Sequence, residues 1–404
     1  MAEHRAVRPH QRVVRRLLPL ASLGLSLLLF AAGRALAEEE RPEPVFDPTV
    51  VQTPGLEPYS ASSDGTAQRT PPAVTPLFAP IPFRNSQLGW GLAVMVGAIH
   101  RFDPDTTLKP STGALMGFYS ENKSWGLMAI EVARVAHDTW RLRGIASHMD
   151  VRYDFFGIGE AAGDAGRSLA IEQPMDFALG AALYRILPGF YGGGSVLWMR
   201  SKASLQEDLG LGIPPQDLAN LSLVAPGLQA EYDTRDDDYW PRRGSIATLK
   251  ANFFTSGLGS SRDFQRYVAA WSWYKELSSP AWVLATNLNA ARATGDTPFW
   301  MLPSVGTGRY GLRGYTQGRY RDNLMTTAQA ELRGHTAGRW GATIFGGLAY
   351  VASSVGELDH ASPLPAGGVG LRFKLTQRYP MHMRADYAWG KNESVFYFSV
   401  SEAF

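Results

Sequence analysis
The chain of 404 residues contains no cysteine. Disulfide frameworks, thiolate metal centres and cysteine nucleophiles are therefore excluded. Charge is sparse as well: Asp, Glu, Lys and Arg make up 19% of the residues, low for a soluble chain of this length. Long apolar runs are missing too. Past residue 37 no charge-free stretch reaches the ~18 residues of a transmembrane-helix candidate. Mean hydropathy is −0.15, too polar for a helical membrane protein. What is present in their place is glycine (42 residues) and aromatic side chains (11%). That pairing favours β-structure.

The basic residues are unevenly placed. Arg5, Arg8, Arg12, Arg15 and Arg16 precede a charge-free run from Leu17 to Gly33, and Ala35-Leu36-Ala37 follows with small residues. Residues 1–37 read as a secretory signal peptide. They hold six Arg and one Glu, so the remainder carries 33 basic and 36 acidic groups. The apparent basicity belongs to the leader, and nucleic-acid binding loses its electrostatic support. Residues 38–82 hold ten of the 26 prolines. They read as an extended periplasmic linker, too short for an ordinary folded domain.

From about residue 85 onward the hydrophobic period is two. Met381, Met383, Ala385, Tyr387 and Trp389 share one face of a strand; His382, Arg384, Asp386, Ala388 and Gly390 share the other. The same alternation runs through 246–253, 327–333 and 369–375. Apolar faces end repeatedly in Tyr or Trp, as interfacial girdles require. The last strand reads as Val395–Phe404, with Phe396, Phe398 and Val400 on the side of Phe404. An exported β-chain in lipid must close so that no backbone group is left unpaired. The expected fold is all-β: a transmembrane antiparallel barrel of about 16 strands over residues 83–404. Fifteen strands are legible, and the sixteenth is expected near 77–87, where prolines hide it. Long connections, including 158–173, 204–220, 294–324 and 353–365, alternate with short turns. That places the long loops outside and the turns in the periplasm, with 234–244 the exception.

Within 294–324 stands Gly308-Arg309-Tyr310-Gly311-Leu312-Arg313-Gly314-Tyr315. Upstream, Asp233-Thr234-Arg235-Asp236 is followed by Pro241 and Gly244. Five strands follow the Arg-Gly-Tyr loop, and the chain ends on Phe404. Together these features resemble the BamA/TamA (bacterial surface antigen) superfamily of outer-membrane barrels, over roughly residues 85–404. The resemblance implies a short form without periplasmic POTRA domains. It also implies that the loop tip Leu312, Arg313, Gly314 and Tyr315 folds into the lumen, with Arg313 pairing to acids on the inner wall. Strand parity nominates Asp386 first and Glu331 second. The turn motif is Asp233, Arg235, Asp236, Pro241 and Gly244, and Phe404 is the C-terminal strand signal. One departure stands out: Phe345-Gly346-Gly347 occupies the place of the family's F-x-D, so Gly347 replaces an inward carboxylate.

Other constellations carry less. Asp233, Asp236, Asp237 and Asp238 offer oxygens to a metal, but a solvated turn offset by Arg235, Arg242 and Arg243 accounts for them. His382 and Asp386 share a face about 13 Å apart, too far for a general base and its orienter. No enzymatic activity, metal or cofactor is expected. The resemblance implies insertion or export of proteins, or of lipid-linked clients, at the bacterial outer membrane. The competing expectation is a passive pore or an anchoring barrel working with a separately encoded partner. Expected partners are outer-membrane lipid, client outer-membrane proteins or a periplasmic or surface partner, and, as an open alternative, a second copy of the chain.

Overall fold
The computed structural model describes residues 74–103, 110–205, 220–237, 240–277, 282–306, 311–374 and 382–404. The signal peptide, the linker up to residue 73 and the first part of the loop motif (Gly308-Arg309-Tyr310) lie outside the described residues. Sixteen antiparallel strands close on themselves: β1 Val74–Asn85, β2 Gly89–His100, β3 Ser111–Ser120, β4 Trp125–Val135, β5 Trp140–Phe155, β6 Leu169–Leu187, β7 Phe190–Lys202 (continued by Ser204–Leu205), β8 Asn220–Asp233, β9 Gly244–Phe254, β10 Phe264–Glu276, β11 Trp282–Gly295, β12 Leu324–Ala337, β13 Trp340–Ala352, β14 Leu364–Lys374, β15 His382–Gly390 and β16 Glu393–Val400. One short helix, α1 Glu160–Ala165, lies between β5 and β6. No described helix is long and apolar enough to cross a membrane.

The period of two decides which side chains face out. Leu92, Val94, Val96, Leu115, Leu127, Leu249, Ile344, Val369 and Leu371 are exposed on the outer wall. Trp90, Tyr119, Trp125, Tyr387 and Trp389 are exposed at the long-loop end, and Trp140, Tyr184, Trp282 and Trp340 at the short-turn end. Two aromatic belts thus bracket an apolar band.

Two expectations change. β1 begins at Val74, inside the stretch read as linker, because Leu77, Ala79, Ile81 and Phe83 alternate inward even though prolines interrupt the outward face. The last strand stops at Val400, and Ser401 turns at φ 86. Phe404 therefore does not end the strand. It is buried inside the barrel against Ile246, Tyr274 and Ala285. Part of the lumen wall is apolar. On the β1–β9 side, toward the long loops, Met95, Met116, Met149, Met175, Phe177, Met199 and Leu223 form a buried apolar inner wall. Phe299, Trp300 and Met301 of the β11–β12 loop pack against it.

The 234–243 turn explains its own length. Trp240 folds in beneath the barrel, 4.2 Å from the His382 ring. Arg235 forks onto both oxygens of Asp233 at 2.8 and 2.7 Å. Asp236 accepts from the amides of Arg242 and Arg243 at 2.9 and 3.1 Å. Pro241 sits in this bend, and Gly244 leaves it at φ +93, where a Cβ would lie 2.0 Å from the Thr234 carbonyl oxygen. Gly244→Ala is therefore expected to destabilise the barrel by about 1–3 kcal/mol. The urea midpoint of the refolded protein in detergent reads this; an unchanged midpoint would count against the strained turn.

Candidate functional site in the lumen
The β11–β12 loop is tied down before its tip reaches the wall. Val305 donates to the Tyr320 carbonyl at 2.9 Å, and Gly159 donates to that of Arg321 at 2.8 Å. Arg321 donates to the Phe299 carbonyl at 2.9 Å and to that of Gly318 at 3.1 Å. Arg319 reaches the Gly163 carbonyl at 2.9 Å and Glu393 at 3.4 Å. Tyr320 donates to Asp164 at 3.0 Å, and Lys391 does so at 2.8 Å. The loop is thereby strapped both to α1 and to the β15–β16 turn. The hydrogen bond from Lys391 holds the Asp164 carboxyl below its ordinary range, and Asp164 in turn holds Lys391 above its own. This strap is complete at neutral pH. It is lost as pH falls through the depressed value of Asp164 or rises through the raised value of Lys391.

At the tip, Gly314 adopts φ 109 and passes so close to the wall that a Cβ would lie 2.9 Å from the Trp389 carbonyl oxygen. Its amide donates to the Tyr397 hydroxyl, which donates to the Tyr315 carbonyl, both at 3.1 Å. The Tyr315 hydroxyl donates to the Pro365 carbonyl at 2.6 Å. These bonds bury Tyr315 completely and point Arg313 at the wall.

The structure brings Arg313, Asp386 and Glu331 together. Arg313 donates to Asp386 at 2.7 Å, and its other terminal nitrogen donates to Glu331. Its guanidinium lies 3.5 Å from the centre of the Phe345 ring. Strand parity places more charge here than sequence reading named. Arg333 donates to Glu331 at 2.7 Å, and Arg372 to Asp386 at 2.5 Å. Arg384 lies 3.4 Å from Asp386. The tail adds Glu402, which accepts from Arg372 at 2.8 Å. Phe404 offers its backbone oxygen to Arg333 at 2.8 Å. The cluster thus holds four guanidinium groups against the side-chain carboxylates of Glu331, Asp386 and Glu402 and a terminal oxygen of Phe404. Arg333 and Arg384 were legible as inward-facing positions on the same strands as the two acids, and Arg372 as one on the strand beside Asp386. Glu402 was not, since nothing local says that the chain turns inward after Val400.

Gly347 acquires a physical reason here. A Cβ on it would lie 2.7 Å from the Leu312 side chain and 2.4 Å from the Ala328 carbonyl oxygen. Leu312 therefore fills the space an inward carboxylate would need, and Arg313 turns to Asp386 and Glu331 instead. His382 packs on Trp240 and does not meet Asp386. No described group of three His, Asp or Glu side chains is arranged to hold a metal ion.

Buried charge makes the acids the sensitive members. Glu331→Gln takes the shared anion from Arg313, Arg333 and Arg372 at once, whereas removing Arg313 leaves Glu331 with Arg333 and Arg372, and Asp386 with Arg372 and Arg384. Glu331→Gln is expected to cost about 3–5 kcal/mol, and Arg313→Ala less, while freeing the loop. Urea midpoints rank the two, and limited proteolysis within 299–321 reads the loop. Equal midpoints, or a resistant loop in Arg313→Ala, would contradict the scheme.

Comparison with known proteins fits this geometry. Residues 218–404 match the Omp85 superfamily domain. BamA from Haemophilus ducreyi, in a form lacking POTRA domains 1-3, is similar at TM-score 0.56 and 16% identity, over 81% of this chain and 70% of that one. CdiB from Escherichia coli is similar at TM-score 0.58 and 11% identity, over 89% and 68%. CdiB from Acinetobacter baumannii gives 0.55 and 13%, over 81% and 59%. No curated protein sequence matches significantly. The chain folds as a sixteen-stranded barrel like those of BamA and CdiB, and its residues 218–404 match the Omp85 superfamily domain.

Proposed function
We propose that this barrel resides in the bacterial outer membrane and handles polypeptide clients there, inserting or exporting them. The apolar band between two aromatic belts is the surface a lipid bilayer requires. The observation that carries the client reading is the junction of β1 and β16. They share one register pair, Arg84 with Phe398, whereas β1 and β2 pair at every position from Val74–His100 to Asn85–Gly89. A barrel is closed to remove its edges. This one leaves its closing seam the weakest contact in the wall. The lumen cluster around Arg313 holds β12, β14 and β15 together beside that seam, so the wall stays rigid where it does not open.

A second reading, a barrel that anchors a separately encoded partner, draws support from the apolar packing of Phe299–Met301 on the inner wall. That packing narrows the lumen and argues against a wide diffusion pore. Two measurements follow. Purified protein in planar bilayers is expected to show a small, fluctuating conductance; a large steady one would favour a passive pore. Depleting the protein from its own cells is expected to reduce the assembly or export of other outer-membrane proteins. Normal levels of all of them would leave the anchoring reading.

A further inference from the structure
The seam is asymmetric in its hydrogen-bonding groups. The Trp90 carbonyl accepts from the Glu121 amide at 2.8 Å, on the side away from β1. Its neighbours Gly89 and Gly91, paired with Asn85 and Phe83, therefore bond toward β1. By alternation, odd-numbered residues of β1 bond to β2, and even-numbered ones turn their N–H and C=O toward the seam. Pro76, Pro80 and Pro82 are all even. Proline carries no N–H, so three seam-facing donors of β1 are absent while its ladder with β2 stays continuous.

β16 is built the other way. The Ser401 amide donates to the His382 carbonyl at 2.7 Å, on the β15 side. The even residues Ser394, Phe396, Phe398 and Val400 consequently face the seam, and none is proline. β16 then ends at Val400 and the tail turns into the lumen, so no β16 residue runs beside most of β1. At the junction, Arg84 extends its guanidinium to the Phe396 carbonyl at 2.9 Å. Trp90 covers this contact with its ring, 6.1 Å from Phe396 and 5.9 Å from Phe398. Arg84 thus occupies an acceptor on β16 that a neighbouring strand's amide would otherwise take.

We propose that Pro76, Pro80 and Pro82 block the seam-facing edge of β1 against strand addition, so that an incoming extended polypeptide joins this sheet at β16 and not at β1. Prolines confined to an unpaired edge are a known physical means of preventing edge-to-edge pairing. Here they leave acceptors but too few donors for a second ladder. The inference rests on the reading that the seam meets polypeptide. Its test needs no natural client, so it fails or stands separately from the depletion experiment.

The test uses the full barrel in lipid vesicles with a photoreactive phenylalanine analogue at Phe78, on the outer face of β1, or at Ser394 on β16. The probe is a biotinylated synthetic peptide with the sequence of residues 393–400. The wild-type barrel is expected to form adducts from position 394 and none above background from position 78. The triple variant Pro76→Thr, Pro80→Thr, Pro82→Thr restores three donors and is expected to raise the adduct at 78 on the order of tenfold. Should it fail to fold, as read by heat-modifiability, Pro80→Thr alone serves, with a smaller rise. Wild-type adducts at 78 as strong as at 394, no rise in the proline variants, or no adduct at 394 would each overturn the proposal.

Discussion
A β-sheet in lipid must leave no backbone donor or acceptor unpaired, and every peculiarity of this chain sits where that demand is hardest to meet. Closing sixteen strands brings the first against the last. Those two strands do not match: β1 has twelve residues, β16 has eight, and their shared register is one pair. Proline is tolerated in β1 only because half of its amides have no strand to meet. The closing junction is then held by side chains, Arg84 with Trp90, Phe396 and Phe398, where elsewhere in the wall the backbone suffices.

The lumen cluster answers a related problem. A wall with one weak junction needs bracing from within. Side chains from β12, β14, β15, the β11–β12 loop and the tail converge on two carboxylates. Charge-assisted bonds among guanidinium and carboxylate groups are short and directional. Each buried charge here has opposite charges within reach, which offsets its desolvation. Phe345 under Arg313 supplies a flat apolar floor with an attractive quadrupole. The apolar half of the interior acts differently. Methionines adapt to irregular gaps, and they accept Phe299–Met301 as a core accepts a side chain. One end of the loop is thus held by packing and its tip by charge.

Much of the site is legible in the sequence. Alternation alone put Glu331, Arg333, Arg372, Arg384 and Asp386 on one inner face. The Leu312-Arg313-Gly314-Tyr315 tip was recognisable by its company, and Gly347 was visible as a departure from the family pattern. The reason for that departure was not, because it lies in Leu312, a contact across 35 positions of chain. Phe404 and Glu402 were misplaced for a similar cause. A period-two pattern continues naturally to the chain's last residue, and only the positive φ at Ser401 breaks it.

The order of side chains along the sequence, by itself, determined the barrel, its strand number and which face of each strand is apolar, since these follow from a local period and from the closure that lipid demands. The tertiary structure alone decided how the ends meet. Whether β1 and β16 share a ladder, where the tail goes and how Arg313 reaches Asp386 depend on distances between residues tens to hundreds of positions apart. No local pattern encodes such distances, because they are set by the circumference and stagger of the whole closed sheet.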